Sequence, residues 1–289
     1  MNRIALGTVQ FGMNYGVANQ IGQITLEAGK AIINEAKKAG IDTLDTAILY
    51  GKSEEILGKI DVSAFRVITK LPEIPQNSDI KATILRLIND SLGRLKINRL
   101  TGILLHRPLQ LLEPGFDIIF RTLEELKKNG LVEKIGFSIY SPEDLDILWS
   151  NFQPDIVQAP FNIFDQRLLQ SGWLQKMKIA GVETHIRSVF LQGLLLMNQD
   201  KRPVKFQKWA QVWSKWHNWL KVQNISAIQA AIDFVLFQKE IDKIIIGVDS
   251  LQHLKEILRV ANQSKNVDFK NVTFTNDELL INPARWASL

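Results

Sequence analysis

The sequence predicts an α/β protein in which one (β/α)8 barrel, a TIM barrel, forms a single domain over residues 1–289. Short β-branched runs alternate with longer amphipathic stretches along the whole chain, a pattern typical of parallel sheets. Eight strand-and-helix units in 289 residues match the size of a closed barrel. Several of the strand-like runs are apolar almost throughout, as strands covered on both faces are.

Eight strand-like runs follow one another in the chain, each rich in Ile, Val or Leu. They cover residues 3–9, 41–47, 66–71, 102–107, 134–140, 155–161, 183–190 and 243–248. The helical stretches between them begin near Leu26, Ser53, Asp79, Phe116, Pro142, Leu168, Val204 and Leu251. Most of these stretches repeat apolar residues at i, i+3 and i+4 spacing, as Ile80, Ile84 and Leu87 do, so each has one face to pack on the sheet.

An open, doubly wound sheet is the alternative architecture. It fits less well, because no GxGxxG turn follows the first strand. The sequence contains no low-complexity linker, so we expect one domain with residues 263–289 as a C-terminal tail segment. The tail holds a helix-start pattern followed by Pro283 and Trp286, and it either crosses the barrel mouth or closes one end of the barrel.

The composition excludes several classes of function. The chain has no Cys, which excludes disulfides, thiolate catalysis and cysteine metal sites, and no His and carboxylate spacing suits a metal. Its net charge of +5 comes from scattered basic residues, so we expect no nucleic-acid partner. No apolar run reaches the roughly 18 residues of a membrane span, and the amino terminus lacks the apolar core of a secretory signal. We therefore expect a cytoplasmic protein with no membrane partner.

Four polar residues lie at or just beyond the ends of the second, third and fourth strands. Asp45 and Tyr50 occur together in LDTAILYG after the second strand. Lys70 ends the third strand in ITKL, and His106 ends the fourth in LLHRP. Because the carboxyl ends of the strands surround the active site of a (β/α)8 barrel, we expect these side chains to converge at its mouth.

The four residue types together suit the reduction of a carbonyl group. A tyrosine phenol, with a pKa near ~10, holds its proton at neutral pH and can donate it to an oxygen that gains charge. The Lys70 ammonium would stabilise the phenolate left behind, and Asp45 would pair with that buried ammonium. A neutral His106 would hydrogen-bond the substrate oxygen and orient it. We therefore interpret these four residues as catalytic, with Tyr50 as the proton donor.

Further motifs occur along the chain in the order of a known family. They are LGTVQFG with Gly7 and Thr8, GFSIY with Ser138, VQAPFN with Gln158 and Asn162, RSVFLQGLL from Arg187, and GVDSLQHLKEI from Gly247. With these motifs and the four residues above, the chain resembles the aldo-keto reductases over essentially the whole barrel. The four-residue set is the most specific part of the resemblance.

The resemblance implies a nicotinamide cofactor lying across the barrel mouth, without a separate nucleotide-binding domain. It implies that the nicotinamide and pyrophosphate lie along the segment after strand seven. It also implies adenosine phosphates at the start of the last helix, where free N–H groups and the helix dipole attract anions. The residues implied at the cofactor are Gly7, Thr8, Asp45, Ser138, Gln158, Asn162, Arg187, Ser188, Phe190, Gln192, Gly193, Gly247, Asp249, Ser250, His253 and Glu256.

Two departures from the family pattern concern the nicotinamide end. Ile139 follows Ser138 where the family often has Asn, so one contact to the carboxamide is missing. Arg187 stands where an aromatic ring often stacks on the nicotinamide. A planar guanidinium stacks in a similar way, but it also brings a positive charge.

A third departure concerns the choice between the two nicotinamide cofactors. Asp249 lies in the phosphate-binding loop, where an acidic residue repels a 2′-phosphate or binds a ribose hydroxyl. Ser250, His253 and Lys255 remain available to receive that phosphate. The resemblance favours NADP(H) as the cofactor, with NAD(H) as the alternative.

Four tryptophans share one face of the predicted helix between strands seven and eight. They are Trp209, Trp213, Trp216 and Trp219. We interpret this stripe as packing on the barrel, and the alternative is an aromatic wall for a substrate or a partner. His217 in the same stretch is expected to be exposed, and His185 inside strand seven faces either the core or the mouth.

The sequence therefore predicts reversible, NAD(P)H-dependent reduction of an aldehyde or ketone, with hydride from nicotinamide C4 and the proton from Tyr50. The expected partner is a small-molecule carbonyl compound, and a monomer and an assembly both stay open. One alternative is a cofactor-binding sensor or regulatory barrel with little turnover. Another is a phosphate-binding isomerase or aldolase in which Lys70 forms a Schiff base.

Overall fold

The computed structural model describes residues 3–76, 78–263 and 267–289. Eight parallel strands pair in chain order, and β1 pairs with β8, which closes the sheet into a barrel. The strands are β1 Ile4–Gly7, β2 Thr43–Asp45, β3 Arg66–Leu71, β4 Leu100–Leu105, β5 Val132–Ser138, β6 Ile156–Pro160, β7 Glu183–Arg187 and β8 Lys243–Gly247. This arrangement confirms the predicted (β/α)8 barrel.

Helices surround the barrel and connect its strands. They are α1 Val9–Gly12, α2 Leu26–Lys38, α3 Ser53–Ile60, α4 Ile80–Leu95, α5 Asp117–Lys128, α6 Glu143–Leu148, α7 Arg167–Gln170, α8 Trp173–Ile179, α9 Ala210–Gln223, α10 Ala227–Phe237, α11 Leu251–Asn262 and α12 Glu278–Ile281. Short 3-10 turns cover Pro108–Leu112, Leu194–Leu196, Gln199–Lys201, Val204–Trp209 and Pro283–Ser288. Side-chain caps fix several starts: Asp79, for example, accepts a hydrogen bond from the Ala82 amide before α4.

The connections around β7 differ from the sequence prediction. Two helices, α7 and α8, join β6 to β7 where one was expected, and both α9 and α10 join β7 to β8. Helix α10 leaves no periodic signal because residues 228–235 are all buried, so no polar face marks it. The seventh strand ends at Arg187, before residue 190, and the segment that follows adopts turns instead.

The barrel interior changes from apolar to charged toward the amino-terminal ends of the strands. Ile68, Leu104 and Ile156 form an almost fully buried cluster inside the barrel. At the start of β7, Glu183 accepts a hydrogen bond from His185 at 2.9 Å and pairs with Lys134. Burial raises the pKa of Glu183, but these two partners outweigh burial and hold that pKa at about 2. His185 therefore belongs to this charged layer and not to the mouth.

The tryptophan stripe packs inside the protein. Trp209, Trp213, Trp216 and Trp219 are each less than 10 % exposed. The ring of Trp213 lies 5.2 Å from Phe164, and Trp216 stacks on Trp219 at 5.7 Å. The indole N–H of Trp216 donates to the Leu195 carbonyl at 3.1 Å, which satisfies its polar atom. The burial of the four rings agrees with the packing interpretation. His217 was expected to be exposed, but it is half-buried, and its Nε2 atom lies 3.1 Å from an Arg202 guanidinium nitrogen.

The segment after α11 packs against the connection between β7 and α9. Trp286 contacts the Phe206 ring edge-on at 4.8 Å, and the Trp209 indole donates to Asp277 at 2.7 Å. The Lys205 ammonium donates to the Trp286 carbonyl at 2.8 Å. None of the described tail residues lines the cavity at the barrel mouth.

The described residues give little support to a membrane span or a metal site. No single helix there is long and apolar enough to cross a membrane. One pair, Val204–Gln223 with Ala227–Phe237, reaches that length and composition only jointly, across a bend of 85°. The same part of the chain contains no cluster of three or more His, Cys, Asp or Glu residues that could hold a metal ion.

Gly12, at the end of α1, lies against the loop that carries Tyr50. A Cβ atom at Gly12 would lie 1.7 Å from the Tyr50 carbonyl oxygen and 2.5 Å from the Ser53 amide nitrogen. Both are backbone atoms, so no side-chain rotation makes room for a larger residue. Gly12 therefore allows the loop after β1 and the loop after β2 to touch, and that contact fixes the backbone of Tyr50.

Replacing Gly12 with Ala is expected to lower the free energy of unfolding by about 1–3 kcal/mol, because overpacking forces the backbone to shift. The measurement is chemical denaturation followed by circular dichroism. Gly93→Ala in α4 is the matched control, since nothing lies within 4 Å of a Cβ atom there. That control is expected to raise stability by roughly 0.5–1 kcal/mol. Equal effects of the two substitutions would contradict the role given to Gly12.

Candidate active site

A cavity of about 750 Å³ opens at the carboxyl-terminal ends of the strands. The residues that the sequence singled out and that lie on its wall are Gly7, Thr8, Asp45, Tyr50, Lys70, His106, Ser138, Gln158, Arg187, Ser188, Phe190, Gln192, Gly193, Gly247, Asp249 and His253. The barrel therefore brings the strand-end residues together around one space. Their individual roles stay predictions.

Lys70 is the most deeply buried charged residue at the cavity. Its side chain is fully buried, and its ammonium donates to Asp45 at 2.7 Å and to the Thr46 carbonyl at 2.8 Å. Burial lowers the pKa of Lys70, but Asp45 and Tyr50 outweigh burial and raise that pKa above its ordinary value. Lys70 is therefore a charged ammonium at neutral pH.

Tyr50 and His106 meet above this ion pair. The Lys70 ammonium lies 5.0 Å from the centre of the Tyr50 ring. The Tyr50 and His106 rings contact edge-on, with centres 6.2 Å apart. Burial, helped by the positive charges of Lys70 and Arg187, lowers the pKa of His106 to about 4. The imidazole is therefore neutral at neutral pH and has one N–H to donate.

Three buried hydroxyl groups anchor the loop that presents Tyr50. The Ser53 hydroxyl, at the start of α3, donates to the Thr8 carbonyl at 2.8 Å. It also lies 3.1 Å from the Thr46 hydroxyl, while the Thr8 hydroxyl donates to the Asp45 carbonyl at 3.0 Å. These bonds tie the ends of β1 and β2 to the first turn of α3. Together with Gly12 they hold both ends of the Tyr50 loop.

Ser138 and Gln158 lie side by side at the ends of β5 and β6. The Gln158 side chain donates to the second oxygen of Asp45 at 2.7 Å and accepts from the Ser138 hydroxyl at 3.4 Å. Asn162, in contrast, is not on the cavity wall. Its amide donates to the Ser188 carbonyl at 3.0 Å, and its oxygen accepts two backbone N–H groups. Asn162 thus holds the segment after β7 through the Ser188 carbonyl, without lining the cavity itself.

The segment after β7 has an unusual backbone. Ser188, Leu191 and Gln192 all have positive φ angles, of 64°, 49° and 53°. Such conformations cost energy in residues other than glycine and often mark functional segments. Gln192 also bridges to the loop after β1, since its side chain donates to the Tyr15 hydroxyl at 3.1 Å. The Ala18 amide donates to the Gln192 carbonyl at 3.3 Å, so two loops meet beside the cavity.

The start of α11 forms the opposite end of the cavity. Gly247 and Asp249 line the wall before the helix, and His253 lines it from the first turn. Ser250 caps the helix by accepting from the His253 amide at 3.1 Å and is not on the wall. Glu256 is exposed on α11, away from the cavity. Burial raises the pKa of Asp249, and His253 and the Gln10 side chain only partly oppose it.

Sequence reasoning missed several residues of the wall. They include Gln10, Met13, Tyr15, Leu49, Tyr140, Met197, Asn198 and Lys201. Most belong to the loops after β1 and β7, where neither periodicity nor a motif distinguishes them from other loop residues. Only Gln10 could have been predicted at the cavity, because it follows LGTV directly at the end of the first strand. The side-chain oxygen of Gln10 is buried and has no hydrogen-bond partner.

Known proteins resemble this chain in sequence. Oxidoreductase sirO of Leptosphaeria maculans is 25% identical over 218 residues, which cover 71% of this chain and 65% of that protein. The uncharacterized oxidoreductase YqkF of Bacillus subtilis is 24% identical over 253 residues, which cover 80% of this chain and 81% of that protein.

Solved structures resemble the barrel as a whole. The holo form of aldo-keto reductase AKR11C1 from Bacillus halodurans gives a TM-score of 0.73 at 17% identity, over 95% of this chain and 94% of that one. Glycerol dehydrogenase AKR11B4 from Gluconobacter oxydans gives 0.65 at 23% identity, over 92% and 94% of the two chains. At these identities the likeness shows the fold alone. The sequence profile of the Aldo/keto reductase family, however, matches residues 3–272, and the chain belongs to that family.

Proposed function

We propose that this protein catalyses the reversible reduction of an aldehyde or ketone, with a nicotinamide cofactor as hydride source and Tyr50 as proton donor. The observation that carries the proposal is the buried Lys70 ammonium, which pairs with Asp45 and lies 5.0 Å from the Tyr50 ring. The Aldo/keto reductase family generally uses nicotinamide cofactors to act on small carbonyl compounds. The relatives named above are oxidoreductases, which agrees with this reaction class.

Lys70 would make the loss of the Tyr50 proton easier. As a carbonyl is reduced, its oxygen gains negative charge and takes a proton from the nearest donor. The phenolate that remains faces a fully buried ammonium, and beside a buried charge the attraction is stronger than in water. Asp45 keeps the ammonium in place, so the charge does not have to move during the reaction.

His106 would hold the substrate oxygen next to the proton donor. A neutral imidazole with one N–H donates a hydrogen bond without competing to supply the proton. The pKa of about 4 keeps His106 in that neutral form over the physiological range. The edge-on contact with Tyr50 brings both donors to the same side of the cavity.

The residues on the wall fit a nicotinamide dinucleotide. When bound, the cofactor would deliver a hydride to the carbonyl carbon. Ser138 and Gln158 offer hydroxyl and amide groups for its carboxamide, as the family resemblance implies. At the other end the unpaired Gln10 oxygen is an acceptor, which fits a hydroxyl or amino group of the adenosine part and not a phosphate.

The choice of NADP(H) over NAD(H) stays a prediction from the family resemblance. Asp249 opposes it, because a carboxylate on the wall repels a 2′-phosphate and suits a ribose hydroxyl. Ser250 is already used as the helix cap, which leaves His253 as the expected phosphate ligand on the wall. The charge on Asp249 is therefore the feature that sets the preference between the two cofactors.

The Schiff-base alternative finds no support at Lys70. A nucleophilic amine must lose its proton, whereas Asp45 and Tyr50 raise the pKa of Lys70 and keep it charged. The sensor alternative differs from the reductase only in turnover, so an activity measurement with cofactor binding alongside it separates the two. A cytoplasmic location and the absence of nucleic-acid and membrane partners stay predictions from the composition.

Tyr50→Phe is expected to lower kcat for a small aldehyde by roughly 100-fold to 10,000-fold, because the general acid is lost. Cofactor affinity, measured by nicotinamide fluorescence, is expected to change little. Tyr15→Phe removes a phenol hydroxyl from the same cavity and is expected to lower kcat by a much smaller factor. A Tyr50→Phe enzyme with undiminished turnover would show that the proton comes from another group. Cofactor binding by the unaltered protein with no turnover of any aldehyde would support the sensor instead.

His106 is expected to titrate with a pKa of about 4, because burial and two nearby cations oppose its charge. Since the unfolded chain binds this proton near pH 6.5, the contribution of His106 to stability is present above pH 6.5 and is lost as the pH falls toward 4. The measurement is an NMR titration of the imidazole carbon-bound protons, with His106→Gln used to assign the signal. A midpoint at or above the ordinary value for histidine would contradict this electrostatic environment.

Asp249→Asn is expected to increase the affinity for NADPH relative to NADH, because it removes a negative charge that faces the 2′-phosphate. The Kd of each cofactor is measured by nicotinamide fluorescence in the unaltered protein and in the variant. Asp90→Asn, on the exposed surface of α4, changes the net charge equally and is expected to leave the ratio unchanged. An unaltered ratio in Asp249→Asn would place the 2′ position away from Asp249.

A further inference from the structure

Arg187 brings a positive charge to the cavity without an acidic partner. Its guanidinium donates to the Ile139 carbonyl at 3.0 Å and to the Ser188 hydroxyl at 3.4 Å. Over the described ranges, no carboxylate oxygen lies within 4.0 Å of its nitrogen atoms. The neighbouring Lys70 is neutralised by Asp45, so the charge of Arg187 is left uncompensated at the reacting end of the cavity.

The guanidinium is directed away from the start of α11, where the adenosine phosphates of the cofactor are expected. It lies over the Tyr140 ring at 4.7 Å and bonds to Ile139, and both residues follow β5. Gly247 and Asp249, which lie at the expected adenosine end, are at the end of β8 and just after it, on the other side of β7. The Arg187 side chain therefore extends past β6 toward the residues after β5, away from the expected adenosine end of the cavity.

Arg187 is close enough to the reacting groups to influence their charge. It is one of the cations that lower the pKa of His106, after burial and Lys70. It also opposes the effect of burial, which raises the pKa of the Tyr15 phenol. Arg187, His106, Tyr15 and Tyr140 all line the same cavity, and the Arg187 guanidinium lies 4.7 Å from the Tyr140 ring, so an anion bound by Arg187 would share this cavity with the substrate oxygen that His106 orients.

Partial burial of a guanidinium without an acidic partner costs desolvation free energy, and a bound anion offsets that cost. Its planar N–H groups match the two oxygens of a carboxylate and form bonds stronger than neutral ones. The backbone carbonyl of Ile139 and the Tyr140 ring fix the plane of the guanidinium, so little freedom is lost when the ligand binds.

We infer that the substrate of this enzyme is a carbonyl compound with a carboxylate group, and that Arg187 binds that carboxylate. The inference rests on the proposed reductase function. The aromatic rings of Tyr15 and Tyr140 would hold the body of the substrate between the carbonyl and the carboxylate. The carbonyl carbon receives the hydride, its oxygen receives the Tyr50 proton, and the carboxylate is unchanged.

The test compares 4-formylbenzoate with 4-formylbenzamide, which have the same shape but differ in charge. The unaltered protein is expected to reduce the carboxylate with a kcat/KM higher by roughly tenfold to a hundredfold, the range for charged hydrogen bonds. Arg187→Met is expected to bring the ratio of the two values close to one, and Arg187→Lys to retain part of it. Arg86→Met on the surface of α4 is the matched control for net charge and is expected to keep the ratio.

A binding measurement supplies a readout that does not depend on turnover. Calorimetry with the product alcohols, 4-(hydroxymethyl)benzoate and 4-(hydroxymethyl)benzamide, in the presence of reduced cofactor is expected to give the same preference and the same loss in Arg187→Met. Loss of cofactor affinity in Arg187→Met with an unchanged ratio would overturn the inference and assign Arg187 to the cofactor. Loss of the ratio in Lys201→Met, with Arg187→Met unaffected, would also overturn it.

The outcomes separate this inference from the function on which it rests. Reduction of both aldehydes at equal rates, with no effect of Arg187→Met, would overturn the carboxylate inference and leave the reductase intact. Failure to reduce either aldehyde, together with normal cofactor binding, would overturn the proposed function itself.

Discussion

The buried ion pair between Lys70 and Asp45 is the interaction on which the rest of the site depends. A fully buried ammonium keeps its charge only if an acid faces it at bonding distance, and here that distance is 2.7 Å. The two residues lie on neighbouring parallel strands, with Asp45 paired to Ile68 in the ladder between β2 and β3. The register of that ladder therefore controls the charge of the cavity as well as the geometry of the barrel.

The surrounding structure restrains Tyr50, which lies on a loop, as firmly as the barrel restrains the catalytic candidates on its strands. Strand ends are rigid because the barrel ladder holds them, whereas loop positions need their own restraints. Here the hydroxyl of Ser53, which binds the Thr8 carbonyl, and the missing side chain of Gly12, which lets the Tyr50 backbone approach, supply them. The interior cluster of Ile68, Leu104 and Ile156 supports the strand ends from below.

The alternation of strand-like and helical stretches was sufficient to predict the barrel, but the exact strand ends were not predicted, since β7 for example stops at Arg187 and not at residue 190. Asp45, Lys70 and His106 were found from their chemistry and their places near strand ends, and all three line one cavity, while their roles stay predictions. The sequence pattern was not sufficient for α10, whose burial on all sides removes the periodic signal. It also failed for wall residues of the loop after β1 such as Tyr15, since the path of a long loop depends on contacts that no local pattern records. Asn162, predicted at the cofactor, is not on the cavity wall, and its side chain binds the carbonyl of the wall residue Ser188.

Both carboxylate oxygens of Asp45 accept hydrogen bonds, each from a different residue. One accepts from Lys70 at 2.7 Å, and the other accepts from Gln158 at 2.7 Å. A molecule that turned the Gln158 amide toward itself would leave the second oxygen unsatisfied and strengthen the pull of Asp45 on the ammonium. A ligand bound beside the Gln158 amide would then change the pKa of the Tyr50 phenol, because Asp45 contacts both Gln158 and Lys70. Binding of a ligand beside Gln158 and release of the Tyr50 proton would then be thermodynamically coupled through Asp45.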